Sequence, residues 1–147
     1  MLEALKILAA ISAGLFAGAA LYINLVEHPS RMGLETRIAM AQWAPSYKRA
    51  TRMQAPLALL SFLTGSAVWL MGASVGWFIA SLLIGTVVPF TLIVIMPTNH
   101  KLLAPGRDPG SAETRALLDR WGRLHAVRTG LSLVATILSL WLLAAGA

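Results

Sequence analysis

The chain has no cysteine, and only six of its 147 residues are acidic. Without thiols it can form no disulfide, no thiolate metal site and no dithiol redox pair. Charged residues of both signs make up 12% of the sequence, against about 25% in a soluble domain. There is no phosphate-cradling loop, because Gly14, Gly18, Gly72 and Gly76 lack the strand context and the lysine that nucleotide binding needs. A zincin histidine pair and a nucleophile elbow are missing too. No long polar linker, low-complexity tract or evident internal repeat divides the chain, which predicts one membrane domain over residues 1–147.

What is present is apolar. Hydrophobic residues make up 57% of the chain, and the mean hydropathy is +0.71. They fall into four runs, 7–26, 53–71, 75–96 and 124–145. Each has about 20 residues, or about 30 Å of helix, enough for one crossing. The predicted fold is an all-α, integral membrane four-helix bundle with short interfacial helices at its charged end. The first run is too long for a signal peptide and has no small-residue cleavage site. Gly14 and Gly18, extended by Ala10, form a small-residue face for close packing, within the chain or in a homo-oligomer. Pro29 is expected to end the first helix at His28, Pro45 to interrupt the helix before the second span, and Pro89 to kink the third. Ser30 and Ser111 are candidate helix caps. A helix begun at Ala112 is expected to run through Trp121 into the fourth span.

The net charge is +6, with most basic residues in segments 27–52 and 97–123. The chain offers no polar fold on which nucleic acid would sit, so the expected partners are membrane lipid and an apolar small molecule. The link between the second and third spans carries no charge. The positive-inside rule therefore puts both charged segments in the cytoplasm and both termini outside, with a bacterial cytoplasmic membrane as the expected setting. Lys6 opposes this weakly.

Chemistry centres on Trp121–Ser132. At 100° per residue, Trp121, His125, Arg128 and Ser132 fall within an arc of about 60°. A charge facing lipid costs about 2.5–3.5 kcal/mol on insertion scales, so this stripe is expected to face the bundle interior. All three histidines, His28, His100 and His125, lie at the same membrane level, with Asn24, Glu27, Asn99, Trp121 and Arg128.

Several readings compete. His28, His100 and His125, with Glu27, would suit zinc or non-haem iron, so the cofactor is expected to be either none or one transition metal. Alternatively, one histidine is a general base and Arg128 or Asn99 holds a developing oxyanion, with Asn24, Glu27 and Trp121 lining the pocket. A third reading has the polar groups merely tie helices together in a carrier, an accessory subunit or a structural bundle. Each group also has a local explanation. Glu27 pairs with Arg31 or Arg128, Trp43, Tyr47 and Trp121 anchor the interface, His100 sits among headgroups, and Asn99 turns the chain.

Four landmarks in order resemble a family of small four-helix membrane proteins that includes the fungal anthrone oxygenases. They are the glycine-rich first span ending in Glu27-His28-Pro29; Trp43 with Tyr47-Lys48-Arg49; Met96-Pro97-Thr98-Asn99 before Leu102-Leu103; and Trp121 with His125 and Arg128. The resemblance implies oxygenation of an anthrone-like polyphenol by dioxygen with no organic cofactor. It carries over His28, Pro29, Asn99, Trp121, His125 and Arg128 as polar landmarks. The implied chemistry assigns His125 as base, Arg128 to the anion, and Asn99 or Asn24 to a carbonyl oxygen.

Overall fold

The computed structural model describes residues 1–147, which fold into helices joined by short links. Four helices are long and apolar enough to span a membrane: α1 (Leu2–Met32), α2 (Thr36–Leu70), α3 (Val75–Leu102) and α4 (Ala112–Ala144). The fold is thus an all-α four-helix bundle. The short links, 33–35, 71–74 and 103–111, force an up-down course. α1 packs against α2 and α4, and α3 packs against the same two. Gly72, at φ +93°, turns the chain between α2 and α3, a backbone region that glycine adopts without strain.

Two of the prolines, Pro29 and Pro45, behave otherwise than expected. Pro29 does not end α1. A π-helical turn at Ile23–Glu27 comes first, and the His28 N–H reaches back five residues to the Ile23 carbonyl. This places Pro29 in the first turn of the resumed α-helix, where its missing N–H is tolerated. α3 repeats the device. Its π turn is Thr91–Ile95, the Met96 N–H bonds the Thr91 carbonyl, and Pro97 opens the resumed helix. The first and third spans therefore share a backbone feature although their residues differ. Pro45 does not interrupt α2, which is continuous from Thr36 through both Pro45 and Pro56. Beside it Trp43 is fully buried, in one core cluster with Ile23, Ile95 and Trp121. Pro89 likewise sits inside α3 just ahead of the π turn.

Ser30 is not a cap, since its hydroxyl donates to the Val26 carbonyl at 2.7 Å. Ser111 is one, accepting from the Thr114 N–H at 3.1 Å, and α4 runs unbroken through Trp121. On the small-residue face, Gly14 lies against Thr136 of α4, whereas Gly18 has open space beside it.

The core is layered. Ile23, Trp43, Ile95, Leu118 and Trp121 fill the charged end; Phe16, Ala58, Ile84, Val87 and Ala135 fill the middle; Ala9, Val68, Trp77 and Leu142 fill the far end. Outward faces are apolar as well, with Ile93 73% and Ile137 65% exposed, as helices solvated by lipid require. Lys6 is nearly buried near the far end, its Nζ 3.0 Å from Glu3.

Candidate functional site

The α4 stripe faces inward. Trp121, His125, Thr129 and Ser132 are buried and Arg128 is half-buried, while Val127 and Val134 on the opposite side are exposed. The stripe lies between the middle and charged-end layers of the core.

His125 is held by α1. Its Nδ1 lies 2.8 Å from Asn24 Oδ1. The Asn24 amide is oriented by its other end, because Nδ2 donates to the Gly122 carbonyl at 3.2 Å. Oδ1 is therefore the acceptor, and it also receives the Thr129 hydroxyl at 2.5 Å. It follows that His125 Nδ1 carries the proton and donates it to Asn24, leaving the Nε2 lone pair uncommitted. Asn24 lies within the π turn of α1. His28 meets the same residue of α4, and its ring packs so closely over Gly122 that a Cβ there would run into it.

His125 lines a small void of about 10 Å³, the space of one water molecule. Its polar lining also includes Tyr47 and Gln54 from α2, Asn99 from α3 and Arg128 from α4. Arg128 Nη2 donates to Gln54 Oε1 at 2.9 Å, which turns the Gln54 Nε2 away from that bond. Gln54 Nε2, Arg128 Nε and Asn99 Oδ1 are buried and have no hydrogen-bond partner in the protein. Leaving such groups unpaired costs about 1–3 kcal/mol each. Around one void the chain thus places two donors, Gln54 Nε2 and Arg128 Nε, and two acceptors, Asn99 Oδ1 and His125 Nε2. A ligand edge bearing a carbonyl oxygen and one hydroxyl would engage both donors and one of the two acceptors, leaving the other acceptor free. Asn99 Nδ2 lies 4.0 Å from Met96 Sδ and its Oδ1 has no partner. Gln54, which is not among the expected site residues, lines the same void.

Other expected site residues lie further out. His28 does not line the void; its ring centroid is 5.3 Å from that of Trp121, which does. Asn24 also lies off the void and acts through His125. Glu27 belongs to a separate, partly buried network centred on the buried Arg31. Arg31 Nη2 donates to its Oε1 at 2.6 Å, the Gln42 amide donates at 3.1 Å, and the Ser46 hydroxyl donates to the same oxygen. This network borders an open cleft of about 440 Å³ between α1 and α2, lined by Tyr22, Ser46, Arg49 and Gln54 among others. His100 is exposed on the last turn of α3, so the three histidines do not converge. No three His, Asp, Glu or Cys side chains stand close enough to hold one metal ion.

An apolar groove of about 110 Å³ adjoins the void on its other side. It lies between α2 and α3, and Thr51 and Arg128 line both it and the void.

These features define a class: a four-helix membrane protein with a buried, oriented histidine beside a small polar void. The chain belongs to the anthrone oxygenase family, whose model it matches over residues 43–138. It is similar to the anthrone oxygenase tpcL of Aspergillus fumigatus, 30% identical over 142 residues, covering 90% of this chain and 88% of that protein. It is also similar to the anthrone oxygenase ptaC of Pestalotiopsis fici, 31% identical over 115 residues, covering 67% of this chain and 80% of that one. No solved structure matches. Both relatives are fungal, which gives the expected bacterial setting no support.

Proposed function

We propose that the protein is an anthrone-oxygenase-like enzyme that converts the methylene group of an apolar, hydroxylated aryl ketone into a carbonyl with dioxygen. One oxygen atom enters the new carbonyl, and the other leaves as water with the two methylene hydrogens. The observation that carries this reading is the oriented His125, with Nε2 free, beside unpaired Gln54 Nε2, Arg128 Nε and Asn99 Oδ1.

His125 Nε2 removes a methylene proton. The resulting carbanion is delocalised onto the ketone oxygen, where Arg128 and Gln54 donate to the developing enolate. Asn99 Oδ1 accepts from a flanking phenol and fixes the register of the rings. The carbanion reduces dioxygen and forms the carbon–oxygen bond. His125 returns its proton to the peroxide, then takes the second hydrogen as the oxygen–oxygen bond breaks, and water is released. The void is far smaller than a fused ring system, so the substrate is proposed to occupy the adjoining groove as well, with its methylene carbon, across the ring from the ketone, brought to His125 as the helices open around it.

The test is turnover of an anthrone by protein in lipid nanodiscs, followed by quinone absorbance and oxygen uptake. His125→Ala is expected to lower kcat by about 10²–10⁴-fold, and Gln54→Leu by about 10²-fold, with both variants folded. Unchanged turnover in folded His125→Ala overturns the assignment of the base.

The charged end of the bundle is proposed to face the cytoplasm, with both termini on the other side. Arg31, Arg37, Lys48, Arg49 and Arg52 cluster in one segment, and Lys101, Arg107, Arg115, Arg120 and Arg123 in the other, while the link at 71–74 has no basic residue. Because the chain has no cysteine, single Ala73→Cys and Asp108→Cys variants report the topology directly. An impermeant maleimide added outside cells should label the first and not the second; the reverse pattern inverts the orientation.

A further inference from the structure

Two openings flank the void, and they differ in chemistry. The cleft between α1 and α2 is polar at its rim, with Glu27, Ser46, Arg49 and Gln54. The groove between α2 and α3 is walled by Ala55 and Ala58 on one side and by Val87, Val88 and Leu92 on the other. Its two hydroxyls are already committed to their own helices. Thr51 donates to the Tyr47 carbonyl at 2.9 Å, and Thr91 donates to the Val87 carbonyl at 2.6 Å. That leaves Arg128, at the inner end, as the polar group the groove can offer. Its guanidinium carbon sits 5.4 Å over the Phe16 ring, Nη2 is engaged by Gln54, and Nε has no partner.

We propose that the α2–α3 groove is a lateral portal from the bilayer. Through it a flat, uncharged hydroxyaryl ketone passes to the void with its oxygen-bearing edge leading and Arg128 receiving that edge. The assignment of ligand class rests on the function proposed above; the route rests on the groove itself. Apolar walls fit a molecule already dissolved in lipid tails, and the lone cation at the inner end fits an oxygen-bearing edge. A molecule with charged groups at its trailing end would have to leave them between apolar helix faces, which is costly. The portal therefore selects substrates with polarity on one edge. The polar cleft between α1 and α2 is left for the water that the reaction forms.

Photo-crosslinking with 4-hydroxybenzophenone in nanodiscs tests the route without requiring turnover, because the probe is itself a hydroxyaryl ketone. Crosslinks are read by mass spectrometry in wild type, in Val88→Trp, which fills the groove, and in Ala19→Trp, which fills the cleft. The portal predicts saturable labelling within 55–58 and 87–96. Labelling should fall by about tenfold or more in Val88→Trp, remain in Ala19→Trp, and be displaced by an unlabelled anthrone. Arg128→Leu should reduce labelling to the level given by benzophenone without the hydroxyl. Labelling centred on Tyr22, Arg49 and Met53, or lost in Ala19→Trp but not in Val88→Trp, overturns the portal. So does labelling that never saturates and spreads over lipid-facing residues. Saturable groove labelling in a protein that turns over no anthrone keeps the portal and removes the oxygenase reading.

Discussion

Asn24 has a role that its residue type does not disclose. A polar side chain near the end of a span ordinarily meets headgroups, yet this one fixes the tautomer of a histidine 101 positions away. Asn24→Leu removes the acceptor for Nδ1–H, and Nε2 is no longer held as the free nitrogen. We expect kcat to fall by about 10²–10⁴-fold with KM little changed, by analogy with tautomer loss in catalytic triads. Asn24→Asp keeps an acceptor at that position and should recover much of the rate. Loss without rescue, accompanied by poor accumulation of the protein, would mark Asn24 as structural only. His125 and Arg128 were legible because 3.6-residue periodicity puts them on one stripe with Trp121 and Ser132. Gln54 was a lone amide at the start of an apolar run, which is a usable signal. Its significance depends on Arg128, 74 positions distant, and only the closed bundle brings these two side chains of diagonal helices together.

Helix periodicity also explains what was misjudged in the elements. The four apolar runs were plain, and Ser111 was readable as a cap with the helix behind it. Pro29 and Pro45 do not break their helices as proline does when judged by residue type alone. In α1 and α3 the residues before Pro29 and Pro97 form π turns, which shift the hydrogen-bond register so that the proline falls where no N–H is missed. Nothing in Ile23–Glu27 or Thr91–Ile95 announces this by residue type. Deleting Leu25 should convert the first π turn to α-helix with little rotation of the flanking helix, since five residues of π turn and four of α-helix each sweep about 400°, while the local placement of Asn24 within the turn is lost. Helix content by circular dichroism should persist while turnover is lost. Retained turnover would mean that the π turn does not position Asn24. At the contact of α1 with α4, Gly122→Ala forces a methyl group against the His28 ring. The expected cost is about 1–3 kcal/mol, visible as a lower Tm in detergent. An unchanged Tm would show that His28 moves aside freely.

For the molecule as a whole, length and hydropathy were enough to give four spans, because a bilayer allows few alternatives to closed helices. Convergence was harder to read. All three histidines lie near one end of the bundle, but His28 packs behind Trp121, His100 is exposed, and only His125 reaches the void. Common depth in a membrane does not fix which side of a helix a group occupies once π turns intervene. The family match at 43–138 includes the void-lining residues of α2, α3 and α4, whereas Asn24 and His28 lie before it.

The central claim is that a buried, oriented histidine drives oxygenation at the membrane-embedded void. The most direct measurement supplies isotopically labelled dioxygen and an anthrone to wild-type protein and to His125→Ala, each in nanodiscs and each verified as folded. We expect one labelled oxygen in the new carbonyl, the other in water, and a rate about 10²-fold or more lower in the variant. Equal rates for the two proteins, or a carbonyl oxygen derived from solvent during turnover, would contradict it.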